Sequence, residues 1–208
     1  MRGRASPTLV GMTVLEAYAR RAEEYTALLG SVEAMAPADV RRIETWARTA
    51  CGPLLDLGCG PGHWTAHLAA LGLEVEGWDP VAEFVRSARD RHPGTVFRRA
   101  ALADLDGHPG AWGGILAWYS LIHLEPAEMP GALGALHRAL RPGGTLLLGF
   151  FDGARQEPFD HAVAPAQHWP AGRMTELVEE AGLEVLDVET RTDPGARPHA
   201  AVHARSPH

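Results

Sequence analysis

Apolar residues recur along this chain with two periods. Val14, Ala17, Tyr18, Ala22, Tyr25 and Leu29 fall on one face of a helix predicted over Val14–Leu29. A second helix is predicted over Pro37–Arg48, where Asp39 can cap only a late start. From Gly52 the pattern changes. Pro53–Leu57 is a short apolar run that stops at glycines, as a buried parallel strand does. His63–Leu71 then reads as helix, Glu74–Trp78 as strand closed by Asp79-Pro80, and Val81–Arg91 as helix ended by Pro93. Strands follow at Thr95–Arg99 and Gly114–Tyr119. Met129–Leu140 is helical up to Arg141-Pro142-Gly143-Gly144, and Thr145–Phe151 is a fifth strand. A loop of about twenty residues, rich in Pro and His, runs to Pro170; loops that long in a compact domain usually have a function or lack order. Gly172–Ala181 is helical. Leu183–Thr190 and His199–Ala204 alternate like strands joined near Asp193-Pro194-Gly195.

Alternating strands and helices build parallel sheets through right-handed crossovers. The expected class is therefore α/β: a doubly wound, mostly parallel, seven-stranded Rossmann-like sheet with helices on both faces and an antiparallel C-terminal edge.

Composition narrows the function. With 26 acidic against 19 basic residues the net charge is −7, which argues against a nucleic-acid partner. No apolar stretch approaches the ~20 residues of a membrane helix, so no membrane partner is expected. The first dozen residues are polar, are expected to fray and lack the apolar region of a secretory signal. Cys51 and Cys59 read as reduced, which points to the cytoplasm. Eleven histidines are scattered without ligand spacing, so no metal is expected.

The chemistry concentrates in Leu54–Trp64, where Gly58, Gly60 and Gly62 bare the backbone between a strand and a helix. A ligand is expected there, at the carboxyl end of the sheet. The dinucleotide pattern Gly-x-Gly-x-x-Gly is not met, because its third position is His63. Asp79 ends the next strand, placed to accept hydrogen bonds from a ribose diol, a feature that NAD shares.

Asp56-Leu57-Gly58-Cys59-Gly60-Pro61-Gly62 resembles motif I of class I S-adenosylmethionine-dependent methyltransferases. Three further pieces extend the resemblance in order: Gly77-Trp78-Asp79-Pro80, Leu116–His123 and Leu140–Leu146. Small bacterial methyltransferases of type 11/25 are the nearest subgroup. The resemblance implies that Gly58, Gly60 and Gly62 pass the methionine part of S-adenosylmethionine. It implies that Asp56 lies beneath the loop and binds the amino group, that Asp79 takes the ribose hydroxyls and that Pro80 lies on the adenine side. The family's acidic adenine contact falls here on Ala101, leaving backbone at Leu102 to serve, unless a shifted loop brings Asp104 in.

Tyr18 and Tyr25 share one helical face, where the family often covers cofactor or substrate; core packing is the other reading. Trp118 and Tyr119 point to opposite sides, and one of them can face the adenosine or substrate. Trp64 is expected in the core. His123, after the fourth strand, is the candidate general base, since imidazole titrates near neutral pH. The long loop carries Phe159, Asp160, His161, His168 and Trp169 over the substrate side, and His199 is a further candidate. The family's expected organisation is one domain over 1–205. It divides into a helical cap at 14–50, a cofactor-binding core at 51–151, a substrate-side loop at 152–171 and a C-terminal helix with strands at 172–205. The expected activity is transfer of a methyl group to O or N of a small molecule. A non-catalytic cofactor binder and an NAD(P)-linked oxidoreductase are the alternatives. Oligomeric state is not written in the sequence.

Overall fold

The computed structural model describes residues 13–208. The readings of the first twelve residues lie outside that range. Helix α1 (Val14–Leu29) starts where Thr13 and Glu16 cap each other: the Glu16 amide donates to Thr13 Oγ1 at 3.3 Å and the Thr13 amide to Glu16 Oε2 at 2.9 Å. Helix α2 (Pro37–Ala47) has its proline in the first turn, where no N–H is missed.

The core alternates β1 (Leu54–Leu57), α3 (His63–Ala70), β2 (Val75–Asp79), α4 (Ala82–Arg91), β3 (Val96–Arg99), β4 (Trp112–Trp118), α5 (Met129–Ala139) and β5 (Leu140–Asp152). Strands β3, β2, β1, β4 and β5 lie side by side in that order, all parallel. Helix α6 (Ala171–Glu180) leads to β8 (Glu184–Arg191) and β9 (His199–Arg205). β9 returns antiparallel along β5, and β8 pairs with β9 at the edge. These are the seven expected strands.

Two more strands fill the segment that reads as a loop. β6 (Glu157–Phe159) and β7 (Ala166–Trp169) form a hairpin, and β7 adds to the far end of β5 through Phe151–His168 and Asp152–Trp169 pairs. The sheet therefore has nine strands. Arg141–Gly144 also departs from expectation. It runs within β5, because Ser206 exchanges backbone hydrogen bonds with Gly143 and Gly144 there.

Both faces of the sheet are covered. Leu54, Leu116 and Leu147 pack on one side with Ile43, Trp46, Trp64 and Leu68 from α2 and α3. Leu55, Ile115, Leu146 and Leu148 pack on the other with α5 and α6. Neighbouring positions in a strand thus face opposite layers, and burial on both sides produces the continuous apolar runs.

Gly62 precedes α3 with φ +82°. A Cβ there would lie 2.6 Å from the Phe97 ring and 2.9 Å from Ala88 Cβ, both buried. Gly62→Ala is expected to cost about 2–4 kcal/mol, from overpacking plus a left-handed alanine. Urea unfolding checks this, and a loss below about 0.5 kcal/mol, the scale of a neutral surface change, would remove packing as the reason for the glycine.

Candidate functional site

The glycine loop is closed on itself. The amides of Gly58 and Cys59 both donate to the Trp78 carbonyl, at 2.7 and 3.0 Å, and the Gly62 amide donates to the Cys59 carbonyl at 3.0 Å. The Gly60 amide donates to Asp79 Oδ2 at 2.9 Å. Pro61 has no N–H, so every amide from Gly58 to Gly62 is already used. The loop leaves room beside one glycine and no nest of free donors. That space lies over Gly60: a Cβ on Gly60 would meet only the Tyr25 ring, at 3.9 Å. Gly58, by contrast, is required by the protein itself, since its Cβ would fall 2.4 Å from Ser120 Cβ. The Ser120 hydroxyl beside it is buried and has no partner.

Asp79 holds the two halves of the mouth together, accepting from Gly60 on one oxygen and from the Val81 amide on the other at 2.8 Å. It is buried, and its partners are backbone amides alone. Burial raises its pKa to about 6 despite these amides. Beneath the loop, Asp56 accepts from Thr65 Oγ1 at 2.6 Å, which ties β1 to the start of α3. Burial is the main cause raising Asp56 to about 7, with the Asp79 charge adding to it and the Thr65 bond opposing it.

Helix α1 covers this mouth. Tyr18, Tyr25 and Phe84 form one aromatic group, with centroids 5.3–6.0 Å apart. Burial first, and then the Asp79 charge among others, raises both tyrosine hydroxyls, so they stay protonated. Tyr18 Oη lies 2.8 Å from His123 Nε2, and His123 Nδ1 lies 2.7 Å from the Pro165 carbonyl. A carbonyl only accepts, so Nδ1 carries the proton and Nε2 accepts from Tyr18. Burial lowers the His123 pKa, which keeps the ring neutral. Arg21 on α1 pairs with Glu24 at 2.8 Å and also donates to the Ala162 carbonyl, so the cover reaches the 152–171 segment twice.

The sequence-predicted residues divide accordingly. Asp56, Gly58, Gly60, Asp79, Tyr18, Tyr25 and His123 come together. Trp118 instead packs on the α2 side with Leu116 and Leu147, its ring against Gly149, where a Cβ would meet it at 2.7 Å. Tyr119 turns to Phe151, at 4.9 Å between ring centroids, and its hydroxyl meets His199 Nδ1. Its φ of +56° is the only positive value at a non-glycine among the described residues, strain of the kind that gathers at functional sites. Asp104 does not replace the missing acid at Ala101. It caps the turn that follows β3, accepting the Ala101 amide at 2.7 Å. Leu102 packs against the main core, and the Pro80 carbonyl accepts from Arg99 Nε at 3.3 Å. Sequence reasoning missed Thr65 and Ser120. The only signal for Thr65 was a hydroxyl in the first turn after a strand-borne carboxylate.

Residues 54–144 match the family model described as methyltransferase domain. A malonyl-[acyl-carrier protein] O-methyltransferase of Dechloromonas aromatica is 29% identical over 153 residues, covering 67% of this chain and 55% of that protein. A trans-aconitate 2-methyltransferase of Paracidovorax citrulli is 36% identical over 113 residues, covering 53% and 42%. The matches thus span about half the length of these curated relatives. A Burkholderia thailandensis 1,6-didemethyltoxoflavin-N1-methyltransferase, solved with its substrate and S-adenosylhomocysteine, superimposes with TM-score 0.78 at 21% identity over 100% of this chain and 93% of that one. The [4+2]-cyclase SpnF superimposes with TM-score 0.74 at 19% identity, covering 98% and 99%. The methyltransferase-domain match at residues 54–144 thus spans the glycine loop and Asp79. The fold around it is the one shared with these two solved structures.

Asp56 makes a pH prediction. Its folded pKa of about 7 lies above the unfolded carboxylate value, so the native state keeps the extra proton between pH ~4 and 7. Stability then falls as pH rises through that window. Asp56→Asn keeps an acceptor for Thr65 and removes the titration. Relative to the parent it is expected to gain roughly 2–4 kcal/mol on going from pH 4.5 to 8. Denaturant unfolding at both pH values checks this; a constant difference would refute the assignment.

Proposed function

We propose that this protein is an S-adenosylmethionine-dependent methyltransferase that methylates O or N of a small molecule. The observation that carries this reading is the spent amides of the glycine loop. A dinucleotide's pyrophosphate needs free N–H groups at such a loop, and here Gly58, Cys59, Gly60 and Gly62 have all donated inward. A nucleoside that presents hydroxyls needs acceptors instead, and Asp79 supplies a buried carboxylate at the right strand end. The open space over Gly60 and the unpartnered Ser120 hydroxyl fit the same ligand.

Asp79 would hold the ribose hydroxyls, the Gly58–Gly62 backbone would pass the methionine part and Tyr25 would close over Gly60. When bound, S-adenosylmethionine supplies a methyl carbon on a sulfonium, open to in-line displacement without further activation. The chain's remaining task is to align the acceptor, exclude water and take a proton. The Tyr18–His123 pair suits the last step. The acceptor's proton passes to Tyr18 Oη as the Tyr18 proton moves to His123 Nε2. His123 becomes imidazolium while its Nδ1–H stays on Pro165. Tyr18 is then the group that meets the acceptor, and His123 the proton store behind it.

A macromolecular acceptor is disfavoured by the acidic charge in the case of nucleic acid. We assign the protein to the cytoplasm because Cys51 is exposed and Cys59 buried, and neither is paired. Among the described residues no helix is long and apolar enough to cross a membrane.

Calorimetry with S-adenosylhomocysteine and with NADH tests the reading: the first is expected to bind, and NADH binding in its place would overturn it. Asp79→Ala is expected to weaken S-adenosylhomocysteine by ~1.5–3 kcal/mol, the scale of hydrogen bonds to a charged group. In the parent, affinity is expected to fall below pH 6, as Asp79 gains its proton. Affinities independent of both would remove Asp79 from the site. Tyr18→Phe and His123→Ala are each expected to cut turnover about 10²-fold or more on an acceptor found by metabolite screening, with little change in cofactor affinity. Loss of cofactor affinity with turnover retained would make the pair a cofactor contact instead.

A further inference from the structure

Beside the Tyr18–His123 pair stands a second imidazole with the opposite protonation. His161 and His123 lie 5.4 Å apart between ring centroids. The Val163 amide donates to His161 Nδ1 across a long 3.5 Å, so in the neutral ring the proton sits on Nε2. That Nε2–H has no hydrogen-bond partner among the described residues, and His161 is half-buried. Burial first, then the His123, Arg197 and Arg21 charges, lower its pKa to about 4, so at neutral pH it donates without carrying charge.

Flat rings flank it. Phe151 lies 5.9 Å and Phe159 6.2 Å from His161 between centroids, and Phe151 is 5.1 Å from Phe159. The nearby guanidiniums are engaged elsewhere. Arg21 is held by Glu24 and Ala162, while Arg197 lies 4.4 Å over the Phe159 ring and donates to the Asp160 carbonyl. A carboxylate acceptor would need one of them released and would gain nothing from a neutral base.

We propose that His161 Nε2–H is the specificity-determining donor of the acceptor site. Together with Tyr18–His123 it would select a flat conjugated acceptor with an acidic N–H or O–H next to a carbonyl: a lactam, imide or vinylogous acid. The acidic proton faces Tyr18, the carbonyl oxygen accepts from His161, and the ring system lies along Phe151 and Phe159. The inference rests on the methyltransferase reading of the same site.

Its test is calorimetry on the full chain saturated with S-adenosylhomocysteine. The probes are lumazine and 4-hydroxycoumarin, which carry both groups; 2-naphthol, which has the acidic O–H without the carbonyl; and trans-aconitate. Lumazine or 4-hydroxycoumarin is expected to bind. His161→Phe is expected to weaken that probe about tenfold, the order of one lost hydrogen bond. His161→Asn, which keeps an N–H donor, is expected to recover most of the loss. Binding of 2-naphthol and of S-adenosylhomocysteine should be alike in all three proteins, which also verifies folding. The proposal is overturned if neither bifunctional probe binds, if trans-aconitate binds more tightly, or if His161→Phe leaves the probes unaffected. Failure of S-adenosylhomocysteine to bind the parent would instead overturn the methyltransferase reading.

Discussion

The bond from the Gly60 amide to Asp79 decides what this site can hold. It spends the Gly60 amide on the protein itself, and it fixes the carboxylate at the end of β2 against the loop after β1. The Val81 amide takes the other oxygen, so Asp79 has no freedom to swing away. Its remaining lone pairs are the polar feature a ligand would meet. β1 and β2, already paired from Leu54–Val75 to Leu57–Trp78, are thereby tied at their carboxyl ends as well. A buried acid without a cation is costly. Burial holds its pKa up at about 6, and a ligand that donates to the carboxylate would favour its charged form.

Most of the fold was legible because both sheet faces are covered. Strands such as Thr145–Phe151 must then be apolar throughout, and the helices between them end at glycine or proline. The β6–β7 hairpin was not legible. Its strands are short, carry Pro158 next to polar residues and exist because β5 overshoots its neighbours and leaves Phe151 and Asp152 to be paired. That overhang is a property of the assembled sheet and not of any local stretch. The site follows the same division. The glycines and Asp79 are close in sequence and fixed by strand–turn geometry, so their meeting at one mouth could be read from the chain. Tyr18 and His123 lie 105 positions apart, and each could be marked only singly. Sequence could not show that the accepting nitrogen of His123 already faces Tyr18. In the proposed mechanism that geometry moves the contact with the acceptor from the histidine to the tyrosine.

Helix α1 and the hairpin form one cover for the same reason. His123 bridges them, with Tyr18 on one ring nitrogen and the Pro165 carbonyl on the other, and Arg21 makes a second link to Ala162. Three segments far apart in sequence therefore share a single imidazole. Rotating that ring would break two hydrogen bonds at once, the half-buried one to Tyr18 and the exposed one to Pro165. The ring is thus held in one tautomer, a requirement for a proton store whose direction of transfer must not vary.

The surroundings of the mouth have a common electrostatic character. Burial is the first cause raising Asp56, Asp79, Tyr18 and Tyr25 and the first cause lowering His123, His161 and His199. Each shift is toward the uncharged form. Such a lining solvates charge poorly, and poor solvation favours a reaction in which opposite charges are lost between reactants and products. In the proposed mechanism this holds for the step in which the ionised acceptor meets the sulfonium, while the acceptor's proton stays behind as the charge on His123. A hydride-transfer site has a different need, because it must settle a pyrophosphate that keeps its charge throughout. The uncharged side chains around Tyr18 and His123 and the spent amides of Gly58–Gly62 are separate features, and both support the proposed methyl transfer.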